Sequence, residues 1–188
     1  LPRELLLELV TAVEGSGLSR LENRMVRYRE TLPEGATAAR HPELLYGGDA
    51  DRGRSIFFEK LEVSCLRCHK VNGEGGEAGP NLSGIGAART REYLLESVLY
   101  PSQAVAEGFE TIVLDLGDGV SVGGILKEDS AERVVLISPE EGEMEFSPAE
   151  IKGRSKGPSA MPEYIKDLLS PWELRDLVEY LASLNDDS

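Results

Sequence analysis

The sequence predicts a mainly helical domain that carries a small antiparallel sheet and is preceded by a two-helix extension. Apolar residues recur at helical spacing over 49–60, 90–100 and 171–184. Over 109–146 the pattern switches to the alternation of strands. A stretch rich in Pro and Gly, 32–48, sets an earlier helical pair apart from the rest. The 188 residues, 40% hydrophobic and 29% charged, suit one globular domain with additions.

Residues 5–14 are apolar over a wide face (Leu5, Leu6, Leu7, Leu9, Val10, Ala12, Val13), so a helix there needs cover on more than one side. Gly15-Ser16-Gly17 breaks it. Ser19-Arg20-Leu21-Glu22 has the form of a capping box and opens a second helix to about 30, with Leu21, Met25 and Tyr28 inward. Residues 1–47 therefore read as the tail of a preceding helical domain and 48–188 as the main domain. With no initiator Met and no leader pattern, the chain reads as a fragment of a longer polypeptide.

The main domain opens at Asp49 with a helix to about 60, its stripe formed by Ala50, Gly53, Phe57 and Leu61. Gly73, Gly75, Gly76 and Gly79 mark an irregular loop. A helix over 90–100 buries Leu94, Leu95, Val98 and Leu99, and Pro101 stops it. Strands are expected at 109–116, 120–126, 133–137 and 144–146, with turns at Asp118-Gly119 and Glu141-Gly142, so the β insertion spans about 109–151. The Gly/Ser-rich stretch 152–160 reads as loop. Ser170-Pro171-Trp172-Glu173 then supplies a cap, a proline at the first helical position and a glutamate at the third.

The formal charge of −14 comes from 34 acidic against 20 basic residues. Such a surface argues against nucleic acid and anionic lipid, and it favours a basic protein partner or simple solubility. Glu140, Glu141, Glu143 and Glu145 concentrate that acidity at one point of the insertion, which makes it a candidate docking edge. No apolar run is long enough to span a membrane.

Cys65-Leu66-Arg67-Cys68-His69 holds both cysteines of the chain. Two thiols one helical turn apart can each add to a vinyl group of one porphyrin, and the adjacent histidine then lies under the iron. A thioredoxin-like site would follow a strand, whereas a helix is expected here. A structural zinc site would have to draw on Cys65, Cys68, His69 and His41, and adjacent Cys68 and His69 chelate poorly together. Covalent haem c, one per chain, is the reading that the motif supports.

The sixth iron ligand is open between Met25, Met144, Met161, His41 and a vacant position. Met25 and Met144 fall on helix and strand stripes, whereas Met161 lies in a loop stiffened by Pro162 and is favoured. A carbonyl of Gly79-Pro80-Asn81-Leu82 can accept the His69 Nδ1 proton and fix the ring. Arg89, Arg91 and Arg154 can pair with propionates, and Trp172 can pack near the porphyrin or cap the core. The glycine cluster is not a phosphate cradle, because Glu74 and Glu77 flank it and no strand-to-helix frame surrounds it.

Taken in order, Gly53-Arg54-Ser55-Ile56-Phe57, the Cys65–His69 motif, Gly79 to Gly86, Arg91 to Ser97, Pro101-Ser102, Gly108-Phe109-Glu110, Ser159-Ala160-Met161-Pro162 and Leu174 to Leu181 resemble the haem-binding cytochrome c domains of planctomycete and verrucomicrobia type. The resemblance runs from about 48 to 184. It implies a class I cytochrome c fold with a β insertion before the methionine loop. It also implies His69 and Met161 as axial ligands, and a pocket formed by Pro80, Leu82, Ile85, Tyr93, Leu94 and Arg154. In that fold Gly53 and Phe57 meet Leu177, Tyr180 and Leu181 where the first and last helices cross. Such domains commonly end large exported proteins, often behind a dehydrogenase.

The expected function is one-electron transfer to a redox partner or an upstream dehydrogenase domain, with no catalytic residues, in an exported, periplasmic protein. The alternative is a haem c peroxidase or a gas or redox sensor with an open or labile sixth position. The apolar first helix also suggests a homo-oligomer through the extension.

Overall fold

A computed structural model describes residues 2–138 and 141–185. The helices are α1 (Leu6–Glu14), α2 (Ser19–Glu30), α3 (Ala50–Glu59), α4 (Cys65–Cys68), α5 (Ile85–Ala88), α6 (Arg91–Leu99) and α7 (Pro171–Ser183). The strands are β1 (Lys70–Val71), β2 (Glu74–Gly75), β3 (Thr111–Gly117), β4 (Val120–Asp129), β5 (Val134–Ser138), β6 (Gly142–Phe146) and β7 (Gly153–Lys156). They form two compact units, one from residues 1–65, 82–100 and 163–188, the other from 66–81 and 101–162.

The first unit is helical, and its helices begin where side chains satisfy the orphan amides. Asp49 accepts from the amides of Asp51 and Arg52, both at 3.0 Å. Thr90 caps α6 through the amide of Tyr93, and Ser170 with Glu173 forms a full capping box at α7. The expected crossing is present between α3 and α7. A Cβ on Gly53 would lie 2.0 Å from the Asp176 carbonyl oxygen, so only glycine permits this approach. The Phe57 and Tyr180 rings meet at 5.7 Å. Buried Asp176 accepts the Asp49 amide and pairs with Arg52 at 3.0 Å. Leu95 and Val178 are fully enclosed, with Ile56, Leu94, Val98, Leu174, Leu177 and Leu181 around them.

Residues 2–47 belong to this same unit. The stretch 32–48 contains 3-10 turns at Ala38–Arg40 and Pro42–Leu44 and buries Ala38, Leu44 and Leu45. Glu96 ties it to α6 by accepting the Thr37 hydroxyl and the Ala38 amide. Leu7 and Val10 of α1 are buried, while Leu5 and Leu9 stay exposed. Three local expectations are corrected. Ser19 is not a cap: the Leu18 carbonyl already accepts from Leu21 and Glu22, and Ser16 satisfies the Leu18 amide. Leu21 and Tyr28 lie on the exposed side of α2. Leu61 is 84% exposed, because α3 ends at Glu59 before its stripe reaches that position.

The second unit corrects the expectation of a mainly helical chain with a small insertion. Five antiparallel strands run in the order β6-β5-β4-β3-β7, and they extend to Lys156, past the expected boundary. The β3–β4 hairpin turns at Asp118 (φ 53°) and Gly119 (φ 78°), two left-handed residues that match the twist of the strands. One face is packed by Leu114, Val134 and Leu136, with Ile112, Leu126, Met144 and Phe146 against them. The additional strand is β7, in the stretch expected to be loop, paired with β3 as Ile112↔Lys156 through Asp115↔Gly153. The acidic edge falls on β6, with Glu143 and Glu145 exposed, while Glu140 lies outside the described residues.

Candidate functional site

Chain entry into the motif is tightly turned. After α3, the amides of Val63 and Ser64 both donate to the Lys60 carbonyl, and Ser64 adopts φ 46° immediately before Cys65. Cys65 and Cys68 then occupy a single helical turn, half-buried, with no disulfide between them. Two thiols are thus presented one turn apart, as addition to a common porphyrin requires.

His69 follows with its ring fixed. Nδ1 lies 3.0 Å from the Pro80 carbonyl oxygen, which can only accept, so Nδ1 carries the proton and Nε2 keeps its lone pair. Burial pushes the imidazole below its ordinary value of 6.5, and the Pro80 hydrogen bond only partly offsets this. The ring is therefore neutral at pH 7, the state in which it can bind iron.

The glycine-rich loop is a clamp on this turn. β1 and β2 form a hairpin through Asn72 (φ 50°) and Gly73 (φ 85°), which folds the following glycines back onto the motif. The amides of Gly76 and Gly79 donate to the carbonyls of Leu66 (2.9 Å) and Cys68 (2.8 Å). A Cβ on Gly76 would lie 2.0 Å from the Arg67 carbonyl oxygen, and one on Gly79 would lie 2.7 Å from Cε1 of the His69 ring. Lys70 and Glu77 pair across the loop, which holds the Glu77 carboxyl below its usual range. Sequence reasoning missed this clamp. Its only signal was the run of glycines, which reads equally well as a flexible turn.

The remaining expected residues are distributed as follows. Met161 is half-buried, in the same unit as His69, and its amide donates to Ser159 Oγ at 3.2 Å. The Ser159 amide in turn donates to Ser102 Oγ, which ties this loop to the Pro101-Ser102 turn. Met144 packs in the sheet core and Met25 lies half-buried on α2. His41 contacts the Tyr100 hydroxyl at 3.4 Å. Arg154 stands on β7 and pairs with Asp129 at 2.6 Å, so a propionate would have to compete with that carboxylate. Arg91 is engaged by Glu179 and the Leu45 carbonyl, and Arg89 lies over the Tyr93 ring. In the first unit, Leu82, Ile85 and Tyr93 are half-buried and Leu94 is buried. Ile85 opens α5, whose Gly86 amide donates to the Leu184 carbonyl. Trp172 is over a third exposed, with the Arg175 guanidinium above its ring.

The donor set fits haem c: two thiols on one turn, and a neutral imidazole whose free nitrogen is Nε2. No curated protein matches the chain. Residues 50–112, which include the thiols, His69 and Pro80, match the family model described as Cytochrome c. Over these residues the chain is similar to cytochrome c domains, whose family binds haem c covalently and transfers electrons.

Proposed function

We propose that this domain is a single-haem, one-electron carrier with His69 Nε2 and Met161 Sδ as axial ligands, within an exported, periplasmic protein of the planctomycete and verrucomicrobia type. The observation that supports the reading is the His69–Pro80 hydrogen bond, which leaves the Nε2 lone pair free to bind a metal and raises its basicity. The bound haem supplies the Fe(III)/Fe(II) couple. Cys65 and Cys68 hold it covalently, so it is kept in both oxidation states. A thioether is a soft, neutral ligand that favours the reduced state, and a filled sixth position leaves no site for peroxide or O₂. Met161 is the methionine proposed because Met144 is committed to the sheet core and the Met161 loop is anchored through Ser159 and Ser102. Electrons would pass to or from a basic partner or an upstream dehydrogenase domain, consistent with the charge of −14. Among the described residues no helix is long and apolar enough to cross a membrane.

Spectroscopy of the haem-loaded protein tests this. Met161→Ala is expected to abolish the sulfur-to-iron charge-transfer band, lower the potential and admit CO, whereas Met25→Ala and Met144→Ala leave the band intact. A wild-type protein that lacks the band and binds CO readily would instead be a haem c peroxidase or a gas or redox sensor.

A further inference from the structure

Arg175, on α7, is the one cation buried among the described residues, at 3% exposure. Both of its hydrogen-bond partners, one carboxylate and one carbonyl, come from the N-terminal segment. Nη1 and Nη2 donate to the Glu8 carboxylate at 3.0 Å, and Nη1 also donates to the Glu4 carbonyl at 3.2 Å. The guanidinium stacks on Trp172, and its Nε–H is buried without an acceptor. The glycines at the end of the segment pack closely, Gly47 on Glu4 of the same segment and Gly48 on α7. A Cβ on Gly47 would lie 2.4 Å from the Glu4 carbonyl oxygen, and one on Gly48 would lie 2.4 Å from that of Arg175.

Only the cation of this pair is buried, Arg175 at 4% and Glu8 at 43% side-chain exposure. Such a pair is a poor way to fasten two elements permanently, since an apolar residue of similar volume holds a buried position as well or better. Its distinguishing property is conditionality. Without the Glu8 charge, the guanidinium is an uncompensated buried cation and regains water only by leaving its site.

The same turn of α7 reaches the motif. Glu173 accepts from Lys60 Nζ at 2.5 Å, and Nζ also donates to the Leu168 carbonyl. The Lys60 carbonyl receives the amides of Val63 and Ser64, the turn that delivers Cys65. Two contacts thus meet on one turn of α7: Glu8 pairs with Arg175, and Glu173, two residues earlier, pairs with Lys60, whose carbonyl holds the turn that precedes Cys65.

We propose that residues 2–47 are a strap latched onto α7 by the Glu8–Arg175 pair, and that the latch sets the haem potential through Glu173 and Lys60. The inference rests on the electron-transfer reading above. The test uses the haem-loaded full chain. Glu8→Gln is expected to speed tryptic cleavage at Arg20, Arg24 and Arg27 about tenfold while haem content stays unchanged, because strap opening governs access. At the wild-type midpoint, the ratio of reduced to oxidised protein should shift about threefold, the scale of a mid-network perturbation. Lys60→Met should shift that ratio in the same direction with the strap still protected. Adding Arg175→Met to Glu8→Gln should restore both protection and potential, because an apolar side chain needs no counter-charge. Faster cleavage with an unmoved potential overturns the coupling, and unchanged cleavage in Glu8→Gln overturns the latch. Failure of the wild-type protein to cycle reversibly by one electron would sink the electron-transfer reading instead, and the cleavage rates would still judge the strap.

Discussion

The Cys65–His69 turn and the five-stranded sheet belong largely to the same compact unit, yet they are held by opposite means. Around His69 the contacts are backbone to backbone: Gly76 and Gly79 donate to Leu66 and Cys68, and their missing side chains let the loop lie on the motif. In the sheet, side chains do the holding, with Leu114, Val134 and Leu136 fully enclosed between strands. The first arrangement holds the His69 ring and the turn around Cys68 and leaves no room for an added atom at Gly76 or Gly79. The second tolerates changes of shape and loses stability in proportion to the volume removed.

The sharpest way to break the contrast is to add one methyl group to the clamp. In Gly76→Ala the new Cβ would lie 2.0 Å from the Arg67 carbonyl oxygen, and only backbone movement relieves that. Haem incorporation is expected to fall to a small fraction of wild type, read as the covalent haem-to-protein ratio. Far-UV circular dichroism of the sheet should be retained. Normal loading would mean that the clamp has slack and that the contrast is overstated.

Leu136→Ala makes the converse change, removing methyls from the fully enclosed centre of the sheet. A loss of about 3 kcal/mol in denaturant-derived stability is expected from the transfer and cavity terms together. The haem spectrum should stay that of the wild type. A perturbed His69 environment in this variant would show the two regions to be one mechanical piece.

The same division explains what the sequence made legible. Elements specified by local chemistry were readable: the helix starts at Asp49 and Thr90, the Ser170 cap, the Asp118-Gly119 turn, and a carbonyl of the Gly79–Leu82 loop as partner of His69. Strand β7 was not, because Gly153-Arg154-Ser155-Lys156 has no apolar alternation and is held at the sheet edge by backbone pairing with β3. Arg175 was hidden for a related reason: an arginine between apolar helix positions reads as solvated unless its remote partner, here Glu8, is known. The glycine clamp hid behind the conformational freedom of its own residues. In each case the missing information is long-range, and composition carries none of it.

Acid should weaken both regions slightly, and by the same mechanism. Glu77 in the clamp is held below 4.5 first by its hydrogen bond to Lys70, and Glu128 in the sheet first by its hydrogen bond to Arg133. A carboxyl with a lowered folded value gives stability that is fully present above 4.5 and lost as pH falls through that folded value. Both carboxylates are exposed, so the effect is small and salt-sensitive. Amide exchange followed down an acid series should show local loosening at 70–79 in Glu77→Gln even at neutral pH, and at 128–134 in Glu128→Gln. Loosening of both regions by either variant would erase the distinction between them.

The smallest effect is expected at Arg154, where the contrast meets the site. The Arg154–Asp129 pair is well formed at 2.6 Å, but both side chains are more than a third exposed. Arg154→Ala should therefore cost about 0.5 kcal/mol, the usual scale of such pairs. Strand β7 keeps its register because backbone pairing with β3 from Ile112 to Asp115 does not involve the side chain. If Arg154 serves only the sheet, Asp129→Ala should cost the same, the double variant should cost little more than either single one, and the haem potential should not move. A propionate partner would behave differently. Removing its positive charge would stabilise the oxidised, more positive haem and lower the potential in Arg154→Ala. Asp129→Ala would free the guanidinium and raise it. Opposite shifts in the two variants would move Arg154 from the sheet to the haem pocket, and equal silence would leave it as an edge-strand ion pair.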